Sequence, residues 1–208
     1  GYGAGPWKRT VGTRFTHNSI SGDDVSSRFS AVYMINDRNS LKLMAGQSFR
    51  APTPFELYFQ NAPVTVLGNP DLKPEKTSSV EASYLASWEN LFGQLTVYYQ
   101  DYRNMIHRDL ADFTRDGVAY ANVNHYDNAS PYHAKGAEVE LRYTAARFGA
   151  FSAFNYISGS QGDIETAAGT GGLAAARTYS FKYVPRYTLS AGVSASAPNP
   201  LGRGDFFG

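Results

Sequence analysis

The sequence has 208 residues and a formal net charge of +1, enough for one domain or a large part of one. This charge provides no overall field that would attract nucleic acid, and the absence of cysteine excludes disulfide frameworks and thiolate metal sites. No apolar run approaches the roughly 18 residues that a transmembrane helix needs. Aromatic residues make up 14% of the chain, and with many Thr, Ser and Gly residues they favour strands and turns.

Apolar and polar residues alternate along several segments, which is the pattern of a half-buried strand. The alternation predicts an antiparallel, up-and-down arrangement of about eight strands without a substantial helix. In chain order the predicted strands are Trp7–His17, Arg28–Ile35, Ser40–Arg50, Ser78–Ser87, Gln94–Ile106, Lys135–Ala145, Gly149–Ser158 and Tyr187–Ser196.

The connectors between these strands alternate in length. The short ones are Asn36–Asn39, Ser87–Leu91, Arg147–Phe148 and Pro198–Gly204. The long ones are Ala51–Thr77, His107–Ala134 and Gly159–Thr178, with Asn18–Ser26 of moderate length on the same side. Outer-membrane barrels have short turns at one end and longer loops at the other. We therefore predict an all-β transmembrane barrel segment with turns near Asp37, Asn90, Phe148 and Gly202 at one end.

A soluble β-sandwich is the main alternative on periodicity alone, because its core uses the same alternating residues. The segregation of connector lengths favours the barrel. The predicted inward faces carry small polar residues such as Ser79 and Ser83 beside charges such as Glu81 and Glu138. Such faces suit a wide, wet lumen better than the filled interior of a small barrel. The sequence therefore predicts an open piece of a larger barrel, in which the first strand does not pair with the last.

A run from Gly46 onward carries a recognisable set of motifs. Phe-Arg-Ala-Pro stands at Phe49–Pro52, Glu-Leu-Tyr at Glu56–Tyr58, and Gly-Asn-Pro-Asp-Leu-Lys-Pro-Glu at Gly68–Glu75, before Thr77–Ser79 and Glu81. This run resembles the barrel of TonB-dependent outer-membrane receptors. Three later segments fit the same family in the same order, namely Tyr99–Ile106, Ala134–Leu141 and Val184–Leu189. Pro and Gly at these places also suit the end of strand pairing and a turn.

The resemblance implies a bacterial outer-membrane location and energy-coupled import of a ferric siderophore or a similar scarce nutrient. It implies that residues 1–208 form part of the barrel domain, with the plug domain and the final strands absent from them. The expected partners are an iron–siderophore or related small ligand, outer-membrane lipid, and the TonB energy-coupling complex through the missing N-terminal region. An outer-membrane barrel that serves adhesion or anchoring without transport is the alternative, and a soluble sugar-binding β-sandwich comes third.

Chemistry-bearing motifs are sparse. The Gly-rich stretches lack the Lys-Ser/Thr of a phosphate loop and no nucleophile elbow occurs, so we predict neither an enzyme nor a cofactor. His107, His125 and His133 fall in one long connector without metal-ligand spacing, which indicates solvated histidines and no metal site. No His lies between Pro52 and Asn69, and the family resemblance therefore favours a ligand other than haem.

Anionic or catecholate ligands suit a surface of arginines and aromatic rings. Such residues lie in or beside the long connectors, where we expect ligand contact. The predicted ligand-binding residues are Arg50, Tyr58, Phe59, Arg108, Arg115, Tyr120 and Tyr126.

Overall fold

The computed structural model describes residues 5–19, 22–61, 63–129, 131–161, 185–197 and 206–207. The strands are β1 Trp7–Asn18, β2 Gly22–Asn36, β3 Asn39–Arg50, β4 Val66–Leu67, β5 Glu75–Ser87, β6 Leu91–Arg103, β7 Ile106–Arg115, β8 Val118–Asn128, β9 Tyr132–Thr144, β10 Phe148–Gln161, β11 Tyr187–Ala197 and β12 Phe206–Phe207. One short helix, α1 Pro54–Tyr58, is found in the described residues. None of the described helical structure is long and apolar enough to cross a membrane.

Nine strands form one sheet, here called the wall, in the order β1-β2-β3-β5-β6-β9-β10-β11-β12. Each neighbouring pair is antiparallel. Among the described residues β1 pairs only with β2, and the opposite edge ends with the β11–β12 pair. The wall is therefore an open sheet, which confirms the prediction that the first strand does not pair with the last.

The short turns gather at one end of the wall, here called the short-turn end. Asp37 and Arg38 join β2 to β3, and each turn is tied to a neighbouring strand through backbone hydrogen bonds, such as Ser87 N to Arg38 O at 2.8 Å and Thr144 N to Asn90 O at 2.8 Å. The predicted turns near Asp37, Asn90 and Phe148 are confirmed. The predicted turn near Gly202 lies outside the described residues.

One face of the wall carries apolar side chains that remain exposed. Its members lie side by side across the strands; for example Leu43 pairs with Ala82, and Ala82 pairs with Val97. Leu43 is 49% exposed and Val97 is 48% exposed. An exposed apolar face of this extent indicates that something other than water covers it.

The opposite face is polar and contains close side-chain contacts. The Ser83 and Thr96 hydroxyls are 3.0 Å apart and buried, and Gln94 Nε2 donates to Thr96 Oγ1 at 3.0 Å. A side chain added at Gly136 would collide with the Tyr98 ring, so glycine allows this aromatic ring to lie flat on the neighbouring strand. Phe151 lies over Gly192 in the same way.

A second, three-stranded sheet stands at the opposite end of the wall, the long-loop end. Its order is β4-β8-β7, with β4 parallel to β8 and β7 antiparallel to β8. Most of the segment interpreted from sequence as the long connector His107–Ala134 is therefore a hairpin. Its tip is a two-residue turn in which Asp116 and Gly117 have φ of 53° and 78°, the conformation that Asp-Gly adopts in tight hairpins.

Candidate functional site

The helix, the second sheet and the described segments between them form one body, here called the platform, comprising residues 54–61, 63–72 and 106–128. Its centre is a small apolar core: Leu67 has no exposed surface, Leu57 is 3% exposed and Val123 is 2% exposed. Leu72 is also buried. This core gives the long loops a fixed shape on which ligand-contacting side chains can be held.

The helix begins at a reciprocal cap. Thr53 Oγ1 accepts a hydrogen bond from Glu56 N, and the Glu56 carboxylate accepts one from Thr53 N at 2.8 Å. This capping box satisfies two donors that a helix start leaves unpaired. Pro54 follows at the first helical position, where its fixed φ fits and no hydrogen bond is lost.

Gly68 passes directly beneath the end of this helix. Its amide donates to Phe59 O at 2.7 Å, and the next amide, that of Asn69, donates to Glu56 O at 2.8 Å. A Cβ at Gly68 would lie 2.7 Å from the Leu57 carbonyl carbon, which is backbone and cannot move aside easily. The glycine of the Gly-Asn-Pro motif is therefore required for close packing of two chain segments.

Arg50 connects the platform to the wall. Its guanidinium donates from Nε to Glu75 Oε2 at 2.7 Å and from Nη2 to Glu75 Oε1 at 2.8 Å. Nη1 donates to Glu56 Oε2 at 3.0 Å. Glu75 also accepts the Ile106 amide at 2.8 Å, where β7 begins. One arginine at the end of β3 thus holds the start of β5, the helix and, through Glu75, the start of β7.

These contacts lie beyond the apolar part of the wall, and they shift the pKa values of Arg50, Glu56 and Glu75. Hydrogen bonds to Glu75 and Glu56 raise the pKa of the Arg50 guanidinium above its ordinary value. Burial raises the pKa of the Glu56 carboxyl, but the hydrogen bonds from Arg50 and Thr53 outweigh burial and hold it below its ordinary value. The Arg50 hydrogen bond, assisted by the Ile106 amide, also lowers the pKa of Glu75 against the effect of burial.

Two asparagines fasten the loops to each other. Asn69 Nδ2 donates to Tyr126 O at 3.0 Å. Asn128 accepts from Lys73 N at 2.8 Å, and its amide nitrogen donates to Lys73 O at 3.0 Å and to Asn104 O at 2.8 Å. Hydrogen bonds between side chain and backbone therefore join segments that are more than 50 residues apart in the chain.

The structure divides the predicted ligand-binding residues into two groups. Arg50 is engaged by two carboxylates, and Arg115 donates to Gly68 O at 3.3 Å and lies 3.5 Å from Asp116. The Arg50 guanidinium therefore joins the wall to the platform, and the Arg115 guanidinium ties the β7–β8 hairpin to Gly68 within the platform. Tyr120 is half-buried opposite Phe113 in the β7–β8 ladder.

The remaining predicted residues gather around an aromatic cluster. The Phe55 ring stacks on Phe59 at a centroid distance of 4.1 Å and meets the Tyr126 ring edge-on at 6.2 Å. Tyr58 is 54% exposed in the same helix, and the exposed Arg108 is the register partner of Tyr126. Phe55, which is 48% exposed, was not predicted from the sequence, although its position three residues before Tyr58 on a capped turn could have suggested it.

The three histidines lie in strands and not in a loop as predicted, and one of them also differs from the prediction in its burial. His125 is buried, 7% exposed, and stacks on Phe113 at 4.6 Å, because it lies two residues from Val123 on the inward face of β8. The interpretation of His125 as a solvated loop residue was therefore wrong. His107 bonds Asp109 at 2.6 Å, and His133 bonds the Tyr99 hydroxyl at 2.9 Å. Among the described residues, no group of three or more His, Asp or Glu side chains is arranged to hold a metal ion.

Comparison with known proteins shows where this architecture recurs. The family described as TonB dependent receptor-like, beta-barrel matches residues 2–207. The ferric enterobactin receptor of Pseudomonas aeruginosa is 27% identical over an alignment of 150 positions, which covers 64% of this chain and 20% of that protein. The chain therefore spans about a fifth of that relative's length.

Solved structures agree in fold. The siderophore receptor PirA of Pseudomonas aeruginosa superposes with a TM-score of 0.70 at 17% identity, over 92% of this chain and 32% of the other. A mutant of the ferric enterobactin receptor PfeA of the same organism, in complex with enterobactin, gives a TM-score of 0.69 at 21% identity, over 91% and 28%. With an open antiparallel wall, a platform at the long-loop end and a match along almost its whole length, the chain belongs to the TonB-dependent receptor-like β-barrel family.

Proposed function

We propose that this chain is part of the transmembrane barrel of a bacterial outer-membrane receptor that imports a ferric siderophore by energy coupling. The observation that carries the proposal is the two-faced wall with a platform at one end. The apolar face would meet lipid, the polar face would line the lumen, and the platform would face the medium. Family membership and the names of the similar proteins support this assignment.

The length of the strands fits this placement. β5 and β6 have 13 residues each, and transmembrane strands need about 9–11 residues when tilted. Aromatic rings lie on the apolar face near the short-turn end, among them Trp7, Tyr33 and Tyr84. Such rings favour the membrane–water interface because they combine an apolar body with a polar edge.

The ligand chemistry is proposed from the exposed part of the platform. Phe55, Phe59 and Tyr126 offer ring faces and edges, and Arg108 adds a positive charge beside them. A catecholate or other anionic iron chelate could contact both kinds of group. Phe55 therefore joins the predicted residues Tyr58, Phe59, Arg108 and Tyr126 as the side chains that we expect to meet the ligand. We no longer propose ligand contact for Arg50, Arg115 and Tyr120, because the two guanidiniums bond other parts of the protein and Tyr120 is half-buried in the β7–β8 ladder.

Other parts of the activity would require regions of the receptor outside these residues. The proposed partners are the TonB energy-coupling complex, reached through an N-terminal region, outer-membrane lipid and the iron chelate itself. Because the net charge is only +1, we propose no nucleic-acid partner.

The test uses a strain whose own receptor gene is deleted and which carries a reintroduced copy of the full-length gene. The cells are supplied with radioactive iron bound to enterobactin. Arg108→Ala should weaken binding about tenfold, because a charge-assisted contact contributes roughly 1.5–3 kcal/mol. Arg38→Ala is the matched control, since Arg38 is an exposed arginine in a short turn at the opposite end. Equal effects of the two substitutions would overturn the placement of the ligand site.

The same strain separates the transporter from a barrel that serves adhesion or anchoring. A transporter accumulates iron inside the cell, and accumulation stops when the energy-coupling complex is removed. If iron uptake from every chelate tested is unchanged by deletion of the receptor, the siderophore assignment is wrong. Loss of surface attachment in that strain would instead support the alternative.

A further inference from the structure

The apolar face of the wall contains a groove near the short-turn end. It is about 270 Å³ in volume. Its floor includes Ala31 and Ala82, two small residues on either side of Leu43 in one cross-strand row. The walls are larger side chains of the same row and the next one, namely Trp7, Tyr33, Leu41, Tyr84, Leu95 and Val97.

The strand register shows how far along the strands the groove lies from the short-turn end. Trp7, Tyr33, Leu41, Tyr84 and Leu95 lie in one row across five strands. The Trp7 and Tyr33 rings are in contact, with centroids 4.6 Å apart, and the Tyr84 hydroxyl donates to Asn39 Oδ1 at 2.6 Å, close to the β2–β3 turn. Aromatic rings with polar edges directed toward a turn mark the headgroup level of a bilayer. The groove therefore begins at that level and continues into the apolar part of the wall.

A positive charge stands at the edge of the groove. Arg9 is the register partner of Ala31 on the apolar face, and its guanidinium carbon lies 5.2 Å from the centre of the Trp7 ring. An arginine on a lipid-facing strand destabilises the protein in the membrane unless its charge reaches the interface. Here the guanidinium lies against an aromatic ring at that interface, where a phosphate can meet it. The site thus combines an apolar groove with one cation at its mouth.

We propose that this groove binds one glycerophospholipid of the leaflet at the short-turn end. One acyl chain lies over Ala31 and Ala82 between the aromatic and aliphatic walls, and the lipid phosphate pairs with Arg9. Charge complementarity selects a phosphate-bearing lipid over a neutral one, and the small side chains of the floor provide the space. The inference rests on the membrane placement proposed above but not on the nature of the imported ligand.

The experiment uses the intact receptor in liposomes that contain phosphatidylglycerol with a photoactivatable group on one acyl chain. After irradiation, mass spectrometry locates the lipid on peptides. The expected result is labelling concentrated on β2, β3 and β5 near the groove. Ala82→Leu should fill the groove and reduce this labelling, whereas Ala137→Leu should not, because Ala137 lies in the same cross-strand row on β9, outside the groove.

The headgroup is tested separately. Arg9→Gln should lower labelling by phosphatidylglycerol about fivefold and should leave labelling by photoactivatable diacylglycerol, which has no phosphate, unchanged. Lys135→Gln, on the apolar face but toward the long-loop end, is the matched control. Uniform labelling along the row that contains Leu95 and Val139, or protection of the groove by a second receptor molecule, would overturn the proposal. A receptor that binds lipid here but imports no iron would contradict the proposed function alone.

Discussion

The wall and the platform bury different residues, although both consist mainly of strands. Among the residues that the structure describes, the buried hydrophobic residues of the wall are the alanines Ala31, Ala86 and Ala134, whereas those of the platform are Leu57, Leu67, Leu72 and Val123. The platform thus has the apolar interior of a small water-soluble protein, whereas the described part of the wall has no such core. The wall depends on its hydrogen-bond ladders and on what covers its apolar face, while the platform depends on packing and on a few charged and amide contacts.

The largest expected effect tests whether lipid covers the apolar face of the wall. Val97→Arg in the middle of β6 should destabilise the intact receptor in a bilayer by about 2–4 kcal/mol, because the charge would face lipid near its midplane. Denaturant unfolding of the reconstituted receptor measures the change. Gln94→Arg on the polar face of the same strand is the control and should have little effect. Comparable losses at both positions would contradict the assignment of the faces.

Gly68→Ala should affect the platform and leave the wall intact. The added Cβ would press against the backbone of α1 at 2.7 Å, and overpacking of this kind costs about 1–3 kcal/mol. Hydrogen exchange should speed up at the Leu57 and Val123 amides without a change in β5. Gly46→Ala is the control, because its nearest neighbour would be 3.8 Å away. Unchanged exchange in the platform would contradict the packing described here.

Arg50→Ala should lower the free energy of local opening at the junction between the wall and the platform by about 2 kcal/mol, because it leaves Glu56 and Glu75 without their shared partner. The partial exposure of the guanidinium keeps the figure below that of a fully buried pair. Arg50→Lys should recover only part of the loss, because an ammonium cannot serve both carboxylates with a planar fork. Arg142→Ala, which breaks a single exposed contact to Glu140, should cost almost nothing. The free energy of local opening from hydrogen exchange reports each value.

The smallest effect concerns pH. The pKa values of Glu56 and Glu75 are held below their ordinary value of 4.5 in the folded protein. Their contribution to stability is therefore complete above pH 4.5 and is lost as the pH falls through the lowered values. Platform amides should lose protection at acid pH before the wall amides do. Arg50→Ala should remove this step, and an identical step in the variant would show that other groups cause it.

Sequence patterns located the wall far better than the platform, for physical reasons. Alternation along Ser78–Ser87 and Tyr187–Ser196 is regular because the two faces meet opposite environments. The β7–β8 hairpin was missed because its alternation is interrupted between Ala111 and Phe113, where the register shifts. The Asp116-Gly117 pair was a usable signal for that hairpin.

The candidate site was only partly predictable. Arginine type and loop position suggested ligand contact at both Arg50 and Arg108, but these features do not reveal which guanidinium already has partners. Glu56 and Glu75 meet Arg50 through the path of the chain between β3 and β5, a long-range arrangement that no local pattern encodes. The core position of His125 likewise depends on the pairing of β8 with β4, whose two residues are too few to detect by alternation.

The parallel contact between β4 and β8 also constrains the order in which the protein assembles. Val66 pairs with Asn124, so the contact closes a chain segment that contains two complete wall strands, β5 and β6. Closing such a segment in an unfolded chain costs more conformational entropy than one short strand pair offsets. Once β5 and β6 have paired, β4 and β8 are already close together, and most of the entropy of closing the segment has already been lost. We therefore expect the platform to form last in folding, after the strands beneath it have paired.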